Sequence, residues 1–171
     1  MSKSDYRRDV PESPQHFTLI GCENCPSANG EEEPNLLPCI VYVHGESYEW
    51  NSGNPYDGTV LASTGRVIVV TINFRLGVLG FLKTGATGSA QGNFGLMDLV
   101  AGLHWLRENL PAFGGDPERV TLMGHSTGAA LVNFIAVSPV AKGKLKMSVT
   151  GTDMMPTNRL NKMCIRKSLS S

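Results

Sequence analysis

The chain has 171 residues, 15 basic and 15 acidic side chains, and a formal net charge of zero. That length suits one globular domain, and 41% hydrophobic with 18% charged residues excludes wholesale disorder. No run of 18 apolar residues occurs, so no membrane span is expected in this chain, and neutral charge without a basic stripe argues against nucleic-acid binding.

Residues 1–36 read as a loop-like stretch, with four prolines and the acidic run Glu31–Glu33. The opening MSKSDYRRDVPESP lacks the apolar region of a signal peptide. Cys22 and Cys25 form a C-x-x-C, but no second ligand pair follows at zinc spacing. They read as incidental thiols, and neither a metal nor a cofactor is expected.

From Cys39 the pattern changes. Cys39–Val43 is a short, apolar, β-branched run and predicts a buried strand that ends at His44-Gly45. Glu46 to Gly58 reads as loop, and its aromatics Tyr48, Trp50 and Tyr56 are expected to pack within it rather than anchor an interface. Val67–Ile72 predicts a second strand, apolar on both faces. A glycine-punctuated loop with Gly77, Gly80, Gly85, Gly88 and Gly92 follows. Leu96, Leu99, Val100, Leu103, Leu106 and Leu110 then recur at the helical period. Asn93 is the expected N-cap of this helix, and Pro111 its expected stop. Trp105 lies near the edge of its apolar stripe and is expected in the core, while Arg75 is expected in a structural ion pair. Asp116-Pro117 predicts the cap and first turn of a short helix. Val120–Met123 predicts a third strand, and Ala129 to Phe134 a second long helix that ends at Ser138-Pro139.

Strands buried on both faces and separated by helices imply a parallel sheet in an α/β protein. Beyond residue 142 the pattern fades, and the tail is expected to be irregular. Charge changes at about the same place. Residues 1–126 carry 8 basic and 14 acidic side chains, whereas residues 127–171 carry 7 basic and only Asp153. The neutral total is therefore the sum of a −6 stretch and a +6 tail.

Gly124-His125-Ser126-Thr127-Gly128 is G-x-S-x-G between a predicted strand and a predicted helix. That context marks a nucleophile elbow, a sharp turn that lifts a serine oxygen above the sheet. Gly124 and Gly128 permit close strand–helix packing, and the Thr127 N–H at the helix start would face a developing oxyanion.

The segment Phe113–Gly128, with Asn93–Asp98 and Asn73–Phe81, resembles the type-B carboxylesterase/cholinesterase family. Within it, His44–Gly58 (HGESYEWNSGNPYDG) is most similar to the neuroligin group, insect members in particular. The resemblance covers residues 37–142 and leaves 1–36 and 143–171 unmatched. It implies an incomplete α/β-hydrolase fold, made of central parallel strands and the elbow helix. It also implies a cell-adhesion role, a neurexin-like cell-surface receptor as partner, and a synaptic cell-surface location for the parent protein. The chain is then expected to represent only part of such a protein.

Ser126 is the candidate nucleophile, but a serine hydroxyl needs a base. In α/β-hydrolases the order is serine, acid, histidine. Here His16, His44, His104 and His125 all precede Ser126, and Asp153 is the one acid after it. The oxyanion-hole positions implied by the resemblance are Gly45, Glu46, Ser47 and Thr127. Esterases of the family resemble His-Gly-Gly-Gly there. Glu46 is expected to lack the backbone freedom of glycine, and its carboxylate would oppose negative charge on a substrate. The expectation is a non-catalytic protein; the alternative is an ester hydrolase that uses Ser126.

Overall fold

A computed structural model describes residues 17–20, 36–85, 88, 92–139, 147–152 and 162–165. The three predicted strands form the middle of one sheet. They are β2 (Leu37–Val43), β3 (Ile68–Ile72) and β4 (Gly115–His125), and β1 is the short strand Phe17–Ile20. Two further strands, β5 (Met147–Thr152) and β6 (Lys162–Ile165), complete a six-stranded sheet of order β1-β3-β2-β4-β5-β6. The four strands β3, β2, β4 and β5 run parallel, and the edge strands β1 and β6 pair antiparallel.

Side-chain alternation explains how the sheet is covered. In β2, Leu37, Cys39, Val41 and Val43 are buried while the residues between them are half-buried. In register with them stand Ile68, Val70 and Ile72 of β3 and Val120 and Leu122 of β4, all buried. Two helices lie on this face: α3 (Phe94–Asn109), through Leu99, Leu103 and Leu106, and α4 (Thr127–Val137), through Leu131, Val132 and Ile135. Each such side chain contributes roughly 1.5–3 kcal/mol on leaving water. The opposite face carries Ile40, Tyr42, Val69, Thr71, Thr121 and Met123. The helix α1 (Thr59–Gly65) covers its β3 side, where Gly58 packs on Val69.

The structure departs from the sequence-based expectations at several places. The glycine-punctuated loop holds a short helix, α2 (Gly77–Phe81), closed by the Gly80 N–H to Leu76 O and the Leu82 N–H to Val78 O. One turn is too short to show a period. Asn93 stands at the N-cap of α3 with φ 59°, and its side chain makes no capping bond. The expected stop at Pro111 is met, since α3 ends at Asn109. The chain continues in a 3₁₀ turn, Leu110–Phe113, with Pro111 in its first turn, where a missing N–H costs nothing, and Gly114 at φ 77° ends it. Asp116-Pro117 is not a helix start. It lies in β4, at a register shift opposite Leu37 and Cys39 that tolerates a residue without a donor. Asp116 instead accepts from the Glu118 N–H at 2.8 Å and from Arg119 Nε at 2.6 Å.

Strands β1, β5 and β6 fall in the two stretches expected to be loop-like and irregular. Their strand character comes from pairing: Leu122 stands beside Val149 and Thr150 beside Cys164. Polar, glycine-bearing segments such as MSVTGT carry too weak a local signal to announce it. The C-x-x-C of Cys22 and Cys25 lies outside the described residues. Among the described residues no helix is long and apolar enough to cross a membrane.

Candidate functional site

The parallel strands β2 and β4 lie side by side, so their C-terminal ends bring His44-Gly45 and His125-Ser126 together. Ser126 sits between β4 and α4 at φ 54°, ψ −126°. This positive φ, rare for a residue with a side chain, is the strained elbow the motif predicts. Close packing holds it. A Cβ on Gly45 would stand 2.2 Å from His125 O and 2.8 Å from Ser126 Cβ, and one on Gly128 would stand 2.2 Å from Val43 O. Gly124 is equally crowded by the first turn of α4. Only glycine fits at these positions.

Thr127 is the first residue of α4, so its N–H has no partner within the helix. Beyond Gly45, which packs on His125 and Ser126, runs the loop of Glu46, Ser47 and Tyr48, with φ of 95°, 55° and 63°. The expectation that Glu46 could not take a glycine-like backbone is therefore corrected. Three consecutive residues with side chains adopt positive φ, at roughly 1–2 kcal/mol each. Neighbouring contacts hold them there. Asn51, itself at φ 124°, donates from Nδ2 to Gly45 O at 2.9 Å and to the Tyr56 hydroxyl at 3.1 Å. The Gly77 N–H donates to Tyr48 O at 2.6 Å, and the Tyr48 ring meets Phe81 edge-on at 5.3 Å. Asn51 was missed in the sequence; asparagine's tolerance of positive φ is the one signal it carries there.

Burial pushes the Tyr42 hydroxyl up, and the adjacent Tyr56 and the Glu46 carboxylate push it further the same way. Among the described residues no histidine hydrogen-bonds to Ser126. His44 is 1% exposed and stacks on Phe74 at 4.6 Å, and burial lowers its pKa from the ordinary value.

The remaining sequence-predicted residues fall as follows. Tyr48 and Tyr56 pack within the structure, the latter on Tyr42 at 4.6 Å, while Trp50 is 64% exposed. Arg75 forms the expected ion pair, with Nη2 to Asp98 Oδ1 at 2.6 Å and Nε to Oδ2 at 2.7 Å. Trp105 packs, half-buried, at the edge of the core. Cys39 is a buried free thiol pushed up to about 12 by desolvation.

Known proteins resemble this arrangement closely. The carboxylesterase family model matches residues 17–167, a wider span than the 37–142 read from motifs. The chain is 47% identical over 117 residues to neuroligin-2 of Homo sapiens, which covers 68% of this chain and 14% of that protein. It is 42% identical over 132 residues to neuroligin-3 of Mus musculus, covering 74% of this chain and 16% of that protein. With neuroligin-1 of Caenorhabditis elegans it shares 50% identity over 108 residues, or 63% of this chain and 14% of that protein. Among solved structures, a PNB esterase superposes with a TM-score of 0.61 at 43% identity, covering 65% of this chain and 24% of the esterase. The chain thus spans about one seventh of the length of these neuroligins and about a quarter of the esterase. Its fold is an incomplete α/β-hydrolase fold.

Proposed function

The chain belongs to the carboxylesterase family, and on that premise we propose that it is the elbow-bearing part of a neuroligin-like adhesion protein that does not hydrolyse esters. Its partner is a neurexin-type receptor, met at a cell surface. The observation that carries this reading is the 42–50% identity to neuroligins over 108–132 residues of this chain. The loop agrees with it: Glu46 and Ser47 stand where esterases resemble glycine, and the Glu46 carboxylate opposes oxyanion charge. The retained elbow then serves as architecture. It ties β2, β4 and α4 together through Gly45, Gly124 and Gly128.

One observation favours the second reading, a serine ester hydrolase. Ser126 keeps the strained elbow conformation, and the backbone of Glu46 and Ser47 keeps positive φ. Such a site would use Ser126 as nucleophile, with the amides of Glu46, Ser47 and Thr127 as donors. The test is saturable binding of a neurexin-type ectodomain to the full-length protein carrying this segment, assayed beside its turnover of a simple aryl ester. Binding without turnover supports adhesion; turnover abolished by Ser126→Ala, without binding, overturns it.

A further inference from the structure

Among the described residues, His44 is the one ionisable group buried at the junction of β2 with the elbow, and neither reading above uses its ring. The ring is 1% exposed, and its Nε2 makes no hydrogen bond to another described residue. Nδ1 lies 3.4 Å from Gly45 O, an acceptor already engaged by Asn51 at 2.9 Å. Phe74 stacks on the ring at 4.6 Å with an interplanar angle of 15°. From α4, Gly128 crowds the His44 backbone, where a Cβ would stand 2.5 Å from His44 O. None of these neighbours is ionisable, and no charged side chain among the described residues acts on the ring. A proton added there would create a cation with a second N–H and, among the described residues, no acceptor for it.

The loop that follows is strained in the same place. Glu46, Ser47 and Tyr48 all hold positive φ, and the next residue back, Gly45, rests on Ser126. Movement of His44 therefore frees residues that gain by relaxing.

We propose that His44 is an acid-sensitive latch: proton uptake by its buried ring releases the loop Gly45–Tyr48 from the elbow at Ser126. The direction follows from burial. The closed form binds the proton less well than an exposed histidine, so closure is complete above the ordinary histidine range. It weakens as pH falls below about 6.5.

The test is amide hydrogen exchange on the full chain at pH 7.5 and 5.0, corrected for intrinsic rates, together with an NMR titration of the His44 ring. Protection of the amides at 45–48 and 126–128 is expected to fall about 10–30-fold more than that of β3, the upper value being the full linkage of one histidine. In His44→Gln that excess should vanish, with His104 and His125 left in place. An equal loss in His44→Gln overturns the proposal. Should that variant not fold, the unaltered chain decides. Ring protonation coupled to lost protection supports the latch. Unchanged protection at pH 5.0, whether or not the ring titrates, contradicts it.

Discussion

Gly45 lies directly against Ser126: a Cβ on Gly45 would come within 2.8 Å of Ser126 Cβ and 2.2 Å of the His125 carbonyl. Two residues separated by eighty positions thus meet because β2 and β4 are parallel neighbours in register, Val43 beside Gly124. The contact fixes the elbow and leaves no space for any side chain between strand end and turn.

Replacing Gly45 by alanine should therefore push the loop off the elbow. The expected cost is about 1–3 kcal/mol, the range for overpacking a closed site. Chemical denaturation of the full chain measures it as a lower midpoint. An unchanged midpoint would show that the two segments do not touch as described.

Glu46→Gly should act in the opposite direction. Glycine removes the strain of φ 95° at this position, roughly 1–2 kcal/mol, and gives back about 0.4–1 kcal/mol through the freer unfolded chain. A net gain of about 1 kcal/mol or less is expected, read from the same denaturation midpoint. A loss of stability would mean that the carboxylate contributes more than the backbone strain costs.

Asp98→Ala should lower the thermal midpoint by a few degrees. Asp98 binds Arg75 through both carboxylate oxygens and also accepts from the Arg75 N–H at 3.0 Å. Arg75 in turn lies over Phe94 at 5.3 Å. Because the pair is partly exposed, added salt should shrink the difference between the two proteins. A salt-independent difference would point to packing alone.

Cys39 reports on whether the core is closed. Burial pushes its thiol up to about 12, so the thiolate that reacts with alkylating agents is scarce at pH 8. Iodoacetamide should leave Cys39 unmodified in the native chain and modify it in denaturant, as followed by mass spectrometry. Reactivity should rise steeply only as pH approaches the raised value. Prompt modification at pH 8 without denaturant would mean that β2 is not covered.

The centre of the fold is legible in the sequence because its signals are local and strong. Val67–Ile72 is apolar at nearly every residue, the leucines from Leu96 to Leu110 keep a helical period, and G-x-S-x-G sits between strand and helix. The rest depends on partners. Met147–Thr152 becomes a strand by lying beside β4. Asp116-Pro117 has good helix-start chemistry, but pairing with β2 draws it into β4. The site divides in the same way. Ser126 and its glycines follow from the motif, whereas the positive φ at Glu46, Ser47 and Tyr48 does not. Three residues with poor intrinsic preference for that conformation are held in it by Asn51, Gly77 and Phe81. No rule of local propensity sums contacts from three separate segments.

Whether the elbow is architecture or chemistry is decided by treating the full-length protein that carries this segment with a fluorophosphonate probe and locating any adduct by mass spectrometry. On the proposed adhesion reading, in which Glu46 and Ser47 replace the glycines of an esterase loop, Ser126 should remain unlabelled. Stoichiometric labelling that is lost in Ser126→Ala would contradict the non-catalytic reading.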